Sequence, residues 1–572
     1  MERENPASST AELVAPTTAP RAADAIVDLL LAAGVEVVFG LPGGPISPLL
    51  DALIDRPEIR VVNTRSEGAA LFAAAGYAHA SGKLGVALVT TGPGVLNALT
   101  GLTSALCDGL PVLLLAGEVA RRNFGRGALQ DGSAHGLRIV EMLRTVTKYA
   151  AEVNDPERAV PMLRHAIRTA LSGPRGPVAL TLPMDTTLAK LEARPTLLSS
   201  PIVDSAVAPE AIDAAAAVLT NGDRGVILAG SGVRRGRGPE RLVELAERVQ
   251  WPVVTTPKAK GVFPEDHPLS LGVFGMGGHL SAYDFLEKGV DTLVALGTSF
   301  NEVSTDGWSA LLRPRADMIH VDIDERQLGR AYPCTLGVIG TAEQFCEQLT
   351  ARLPQAAERR YGGVRRHVLP LGSGAGLPLH RAIVEIQGAL PADAIFTVDS
   401  GEHFVFATHF LTTTAPDAYV VMTGLGSMGQ SLPAAIGAQL ANPGRVVAAI
   451  CGDGCFAMNA FEIATAVNAK LPLVIFVIND GRLGMVEIGA STVYGRTPSF
   501  PTGPMDVPAL AAALGAHALV AERFGDIRDA ELMALRHRGP VVVDVRIDAT
   551  VNIPKRERFA GFSAKRTLRS LN

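Results

Sequence analysis

The sequence predicts an α/β protein made of three consecutive doubly wound parallel-sheet domains, and two patterns carry that expectation. Apolar runs of strand length alternate with helix-length amphipathic stretches, and many of the runs close on glycine-rich turns. The pattern then occurs three times, with two softer joints between the repeats. A parallel sheet with helices on both faces reads this way, and such sheets bind ligands at the carboxyl ends of their strands.

Residues 1–20 are rich in Ala, Pro, Ser and Thr without an apolar signal-like run, and read as a disordered tail. In the first unit, 35–39 reads as a strand closed by Gly40-Leu41-Pro42-Gly43-Gly44, and 84–90 as one closed by Thr91-Gly92-Pro93-Gly94. Residues 111–117 repeat the pattern, with helices expected over 68–81 and 95–105. Residues 183–201 carry three prolines and little periodicity, as a linker would. The second unit has strands expected at 225–229, 252–256, 292–296 and 318–322. A charged and then glycine-rich joint over 355–373 leads to a third unit, with strands at 394–398, 446–451, 473–478 and 541–545. The expected domains are therefore 21–190, 191–370 and 371–550, followed by a tail over 551–572.

Composition excludes several classes. With 47% apolar and 19% charged residues, the chain has material for a large core and too little charge for disorder. A net charge of −5 and the absence of a large Lys/Arg cluster argue against nucleic acid, the run at 233–237 being too short to track phosphates. The apolar stretch 25–40 is interrupted by Asp28 and Glu36, which argues against a membrane span. Five scattered cysteines, none in a Cys-x-x-Cys pair, suggest neither a disulfide framework nor a zinc site. A soluble cytoplasmic protein is expected.

The strongest chemical signal lies in the third unit. The wholly apolar run 446–451 ends in Gly452-Asp453-Gly454, and after 24 further residues comes Asn479-Asp480-Gly481 at the end of another apolar run. If those strands are neighbours, Asp453 and Asp480 lie side by side at one sheet edge. Magnesium takes hard oxygen ligands, usually one or two carboxylates together with phosphate oxygens. Glycines beside Asp453 let a diphosphate approach the backbone, and the following helix offers its N-terminal amides. Read alone, Asp453 is equally well a helix cap.

Gly-Asp-Gly, this gap and the Asn-containing turn together resemble the thiamine-diphosphate motif shared by acetolactate synthases and 2-keto-acid decarboxylases. The resemblance implies that Asp453 and Asp480 hold Mg2+ with a backbone carbonyl of Arg482, and that Gly452, Gly454, Cys455, Leu483, Gly484 and Met485 line the cofactor. An aspartate at 480, where most members have Asn, resembles the catabolic acetolactate synthases. Gly424-Leu425-Gly426-Ser427-Met428-Gly429 resembles the family's Gly-Leu-Gly-Ala-Met-Gly, with Gly426 beside the cofactor and Met428 as the residue that wedges thiamine into its bent form. The same segment fits Gly-x-Gly-x-x-Gly, but no acidic residue follows at a strand end about twenty positions later, which argues against a nicotinamide site.

In the first unit, Glu67 follows an expected strand and opens a helix, where a carboxylate also suits the helix dipole. The resemblance places it on the family's catalytic glutamate, which holds a proton on the aminopyrimidine ring so that the 4'-imino nitrogen can deprotonate thiazolium C2. Ser66 stands where the family usually has His. Gly44 falls on the loop whose backbone faces the reacting carbonyl, Gln130 on an active-site glutamine, and Lys148 on a family basic position. Glu402-His403 falls on the Gln-His pair lining the diphosphate. The resemblance, spanning about 21–550, implies a homodimer or homotetramer with thiamine between the first unit of one chain and the third of another.

Two departures concern the substrate. Ser299 stands where acetolactate synthases carry the Arg that grips the second keto acid, and Gly489 where they carry a Trp. Without a bidentate cation a site recognises a carboxylate poorly, so the acceptor is expected to be a carbonyl compound other than a second pyruvate. The middle unit resembles the part that binds a structural FAD; Gly230-Ser231-Gly232 and 275–278 fit suitable turns, while the Phe-Asp-Asp-Arg contact region has changed. The expected reaction is decarboxylation of a 2-keto acid, with pyruvate the leading donor, and transfer of the acyl carbanion to an acceptor carbonyl. The alternative is a simple decarboxylase that releases an aldehyde.

Overall fold

The computed structural model describes residues 19–193, 195–196, 206–222, 224–355 and 377–548. These residues form three six-stranded sheets in which every pairing is parallel. The first sheet comprises β1 (Val37–Gly40), β2 (Arg60–Asn63), β3 (Gly85–Val89), β4 (Val112–Glu118), β5 (Tyr149–Glu152) and β6 (Val178–Pro183). The second comprises β7 (Gly225–Ala229), β8 (Val253–Thr255), β9 (Ser270–Val273), β10 (Thr292–Leu296), β11 (Asp317–Asp322) and β12 (Leu336–Ile339). The third comprises β13 (Ile395–Val398), β14 (Tyr419–Val421), β15 (Val447–Gly452), β16 (Val474–Asn479), β17 (His517–Ala521) and β18 (Val541–Arg546). The three α/β domains expected from the sequence are present.

The first sheet is ordered β2-β1-β3-β4-β6-β5 and the third β14-β13-β15-β16-β18-β17, so the outer domains share one topology. The second runs β12-β11-β10-β7-β8-β9, and its order reverses between β7 and β10. Central strands are apolar at nearly every position because helices cover both faces. Residues 447–451 of β15 are all buried, and the strand lies between β13 and β16.

The outer domains meet through helices. Glu67–Ser81 packs against Ser431–Ala441, and residues of both domains share one apolar core. The contact is close because it is built from Ala and Gly. A Cβ on Gly437 would stand 1.9 Å from the carbonyl oxygen of Ala73, and one on Gly76 2.3 Å from that of Ala434. Gly437→Ala should therefore lower unfolding free energy by about 1–3 kcal/mol, the range for overpacking. In an unhindered helix the same change stabilises by roughly 1 kcal/mol, so the sign measured by denaturant unfolding decides the point.

The middle domain is pinned to both neighbours. Lys258 pairs with Asp108 at 3.0 Å, and Asp108 accepts the N–H of Gly424 at 3.1 Å. Lys260 and Glu265 form a fully buried pair, and Glu265 also accepts the N–H of Thr413 at 2.8 Å. The linker expected over 183–201 is shorter in fact. Pro183 ends β6, and Met184–Leu188 is helical with Thr186 and Thr187 buried. Residue 194 and residues 197–205 lie outside the described residues, as do the tails over 1–18 and 549–572 and nearly all of the joint expected at 355–373. All five cysteines are free. Among the described residues, no helix is long and apolar enough to cross a membrane.

Candidate active site

The carboxyl edge of the third sheet gathers most of the residues singled out from the sequence. β15 and β16 are neighbours in the register Gly452↔Ile478, which brings Asp453 and Asp480 to one edge. Asp453 is buried and opens the helix Asp453–Asn459, capped by Gly452. It accepts a hydrogen bond from the Thr502 hydroxyl. Burial raises its proton affinity, partly offset by Thr502 and by backbone N–H groups that include those of Gly454 and Gly481. Burial also raises Asp480, opposed by Arg482 and reinforced by the charge of Asp453. The Arg482 guanidinium lies 3.0 Å from Asp480 Oδ2 and 3.1 Å from Glu487 Oε2. A buried and a half-buried carboxyl at one edge present an electrostatic demand for a cation, which Arg482 meets in part.

Around them glycines let neighbouring side chains approach the backbone closely. A Cβ built on Gly454 would lie 2.7 Å from Leu483 Cδ2 and 3.4 Å from Met428 Cε, so this turn sits directly beneath both side chains. One built on Gly484 would lie 3.0 Å from Asp480 Oδ2 and 3.2 Å from Glu402 Oε2. His403 is buried against Gly452, and its Nε2 has no hydrogen-bond partner. Burial pulls the His403 ring down to about 4, although Asp399 opposes the fall. The ring is thus neutral at ordinary pH, and an anion beside Nε2 would draw its proton affinity back up. Buried polar atoms are normally satisfied, so this nitrogen calls for an acceptor or donor from outside the chain.

The turn bearing Met428 is held by Asp399 at the end of β13. Its Oδ1 accepts from Gly429 N and its Oδ2 from Ser431 N, both at 2.9 Å. Gly426 has φ of +72° and an open Cβ direction. Cys455 is buried, directs Sγ at the Ser400 carbonyl and has its thiol pushed up by burial, so it packs and does not react. Leu483 caps the helix Gly484–Tyr494, and Met485 follows on its first turn, half-buried.

In the first domain, Glu67 opens the helix Glu67–Ser81 behind the cap Ser66, whose hydroxyl accepts from Ala69 N. The Glu67 carboxyl is buried and accepts from Asn97 Nδ2 at 3.1 Å. Gly44 begins a short 3-10 turn after β1, with open space beside it. Gln130 adopts φ of +62°, and its Cβ lies against Gly92. Lys148 instead caps a helix end: its Nζ donates to the carbonyls of Thr169 and Ser172. Ser299 lines a hydroxyl-rich crevice between the middle and third domains with Ser231, Thr256, Lys258 and Thr423, beside the β7/β10 reversal. Gly489 lies within Gly484–Tyr494. Sequence reasoning missed Asn97, Asp399, Glu487 and Thr502. Only Thr502 carried a signal, because the proline-dense run 498–504 announces a loop that must return over something.

Comparison with known proteins places the three domains in one family. Residues 20–136 match the thiamine pyrophosphate enzyme N-terminal TPP binding domain, 212–349 the central domain and 399–545 the C-terminal TPP binding domain. The chain is 32% identical over 558 residues to a probable acetolactate synthase large subunit from Methanocaldococcus jannaschii, covering 93% of each chain. It is 34% identical over 555 residues to an acetolactate synthase from Mycobacterium bovis, covering 93% of this chain and 88% of that one. A solved structure of a thiamine-diphosphate-dependent 4-hydroxybenzoylformate decarboxylase from Rhodococcus jostii aligns with a TM-score of 0.82 at 25% identity, over 92% of this chain and 99% of that one. The chain therefore belongs to the thiamine pyrophosphate enzymes, among the relatives of the acetolactate synthase large subunits.

Proposed function

We propose that this enzyme decarboxylates a 2-keto acid, with pyruvate the leading donor, and passes the acyl carbanion to an acceptor carbonyl. The observation that carries the reading is the third-sheet edge, where buried Asp453 and half-buried Asp480 flank the glycine turn 452–454, and buried His403, whose Nε2 has no partner, lies against Gly452. Among the described residues no three His, Cys, Asp or Glu side chains are grouped to hold a metal by themselves. Two carboxylates suit Mg2+ that shares its shell with diphosphate oxygens and water. Asp453 and Asp480 would hold that ion, while His403 and the amides after Gly452 would meet the diphosphate. The bound thiamine supplies the electron sink for decarboxylation. Glu67 would hold a proton against the aminopyrimidine, with Asn97 fixing its carboxyl. Met428 and Leu483 would shape the bend, while Gln130 and the Gly44 turn would orient the keto acid.

The site is read as shared between two copies of the chain. Leu96, Leu129, Leu425, Met458 and Phe461 are 41%, 85%, 43%, 58% and 64% exposed, all on segments next to the cofactor elements. Exposed apolar side chains on these segments favour a covering partner. Ser299 and Gly489 leave the acceptor side without the cation and the indole of acetolactate synthases, which favours a neutral carbonyl acceptor. The Rhodococcus decarboxylase favours a second reading, release of an aldehyde with no acceptor. CO2 release from pyruvate with thiamine diphosphate and Mg2+, followed by product analysis with and without added aldehyde, tests both. A new carbon–carbon bond supports the first reading, aldehyde alone supports the second, and acetolactate from pyruvate at biosynthetic rates refutes the acceptor argument. A flavin absorption spectrum of the purified protein tests the middle domain for FAD.

A further inference from the structure

Glu462 opens the helix Glu462–Asn468 in the third domain and is 1% exposed. Its Oε1 accepts two backbone N–H groups of the first domain, Arg65 at 2.9 Å and Ser66 at 3.0 Å. Its Oε2 accepts the Thr465 hydroxyl at 2.7 Å, and that hydroxyl lies 3.3 Å from the carbonyl of Asn63. Residues 63–66 form the turn that leads from β2 into Glu67. Within its own domain, that turn is fixed by Thr64 N donating to Gly40 and by the Thr64 hydroxyl donating to the Ser66 carbonyl. Neither bond involves the N–H groups of Arg65 or Ser66. The carboxylate reached from the other domain is what satisfies them, and consecutive amides held by one oxygen fix the two peptide planes of residues 64–66 that lead into Glu67.

We propose that Glu462 is a positioning residue for Glu67, holding the turn that presents the Glu67 carboxyl and so setting where that carboxyl stands. The proposal rests on the reading of Glu67 as the carboxyl that faces the aminopyrimidine. A misplacement of about 1 Å in such a group costs on the order of 10²-fold in rate. Burial alone would favour an apolar side chain at 462, and an interface already built from Ala and Gly does not need a carboxylate. Three converging donors explain why one is kept.

The test uses the full chain with thiamine diphosphate and Mg2+, and reads hydrogen–deuterium exchange at C2 of the bound cofactor by NMR after acid quench. Glu462→Leu should slow exchange by about 10²-fold, with cofactor dissociation constant and KM for pyruvate little changed. Glu462→Gln should restore most of the rate. Its amide oxygen still accepts from Arg65 and Ser66, and its Nε2 can donate to Thr465 Oγ1. Combining Glu462→Leu with Glu67→Gln should be no slower than Glu67→Gln alone. Wild-type exchange in Glu462→Leu overturns the proposal. So does a loss of cofactor binding and thermal stability that accompanies the slower exchange and is equally large in Glu462→Gln, since that is interface packing only. If Glu67→Gln itself exchanges at the wild-type rate, the reading of Glu67 has failed, and a separate result has shown it.

Discussion

Glu67→Gln is expected to lower turnover by about 10²- to 10⁴-fold, the contribution typical of a positioned acid or base, while the cofactor still binds. The substitution is nearly isosteric. Gln can keep the hydrogen bond from Asn97 through its amide oxygen, and the cap from Ser66 does not depend on residue 67. The folded turn should therefore survive. What is lost is a group able to hold a proton against the pyrimidine ring, so decarboxylation measured by CO2 release should collapse at saturating pyruvate. Full activity in the variant would remove Glu67 from the chemistry.

Asp453→Asn should act on binding with opposite signs for cofactor and fold. The carboxyl is 3% exposed, and burial raises its proton affinity, so ionisation at neutral pH costs folding stability. The contribution runs in the sense that favours the folded state when protonated and is lost as pH rises. A neutral amide removes that cost, and Tm without cofactor should hold or rise. Binding of thiamine diphosphate with Mg2+ should weaken by at least about 100-fold, the upper figure for losing even a neighbour of a metal ligand. Calorimetric titration and a melting curve on one preparation check both halves. A variant that melts lower and binds normally would make Asp453 a structural cap.

The central strands other than β6 were legible because burial on both faces leaves few polar positions, as in 447–451 of β15. Most edge strands were not, β2 before Glu67 being the exception. β5, β12 and β17 each bury only one position fully and leave the rest half-buried or exposed, and their ladders to β6, β11 and β18 make them strands. At the site, Asp453 and Asp480 could be paired from sequence because each ends an apolar run beside glycine. Asn97 and Glu462 could not, because they reach their partners across 30 and nearly 400 residues with no local pattern to mark them. Arg482 was expected to offer a carbonyl, and its guanidinium additionally bridges Asp480 and Glu487.

The shared core of the outer domains also bears on how the molecule comes apart. Leu71, Ala73 and Tyr77 bury themselves in the same cluster as Leu432, Ala435 and Ile436, whereas the middle domain keeps separate clusters around Trp251 and Phe274. Melting the first domain would strip one wall from the third, and neither can persist as a folded intermediate alone. The middle domain shares no such core and is tied to its neighbours by fewer, mostly polar contacts, so it is expected to open at a different temperature. Calorimetry should then resolve a transition in which residues hundreds of positions apart unfold together, while the segment between them follows a different temperature. Expressed without the third domain, the first would present an alanine-lined face to water and collect in aggregates.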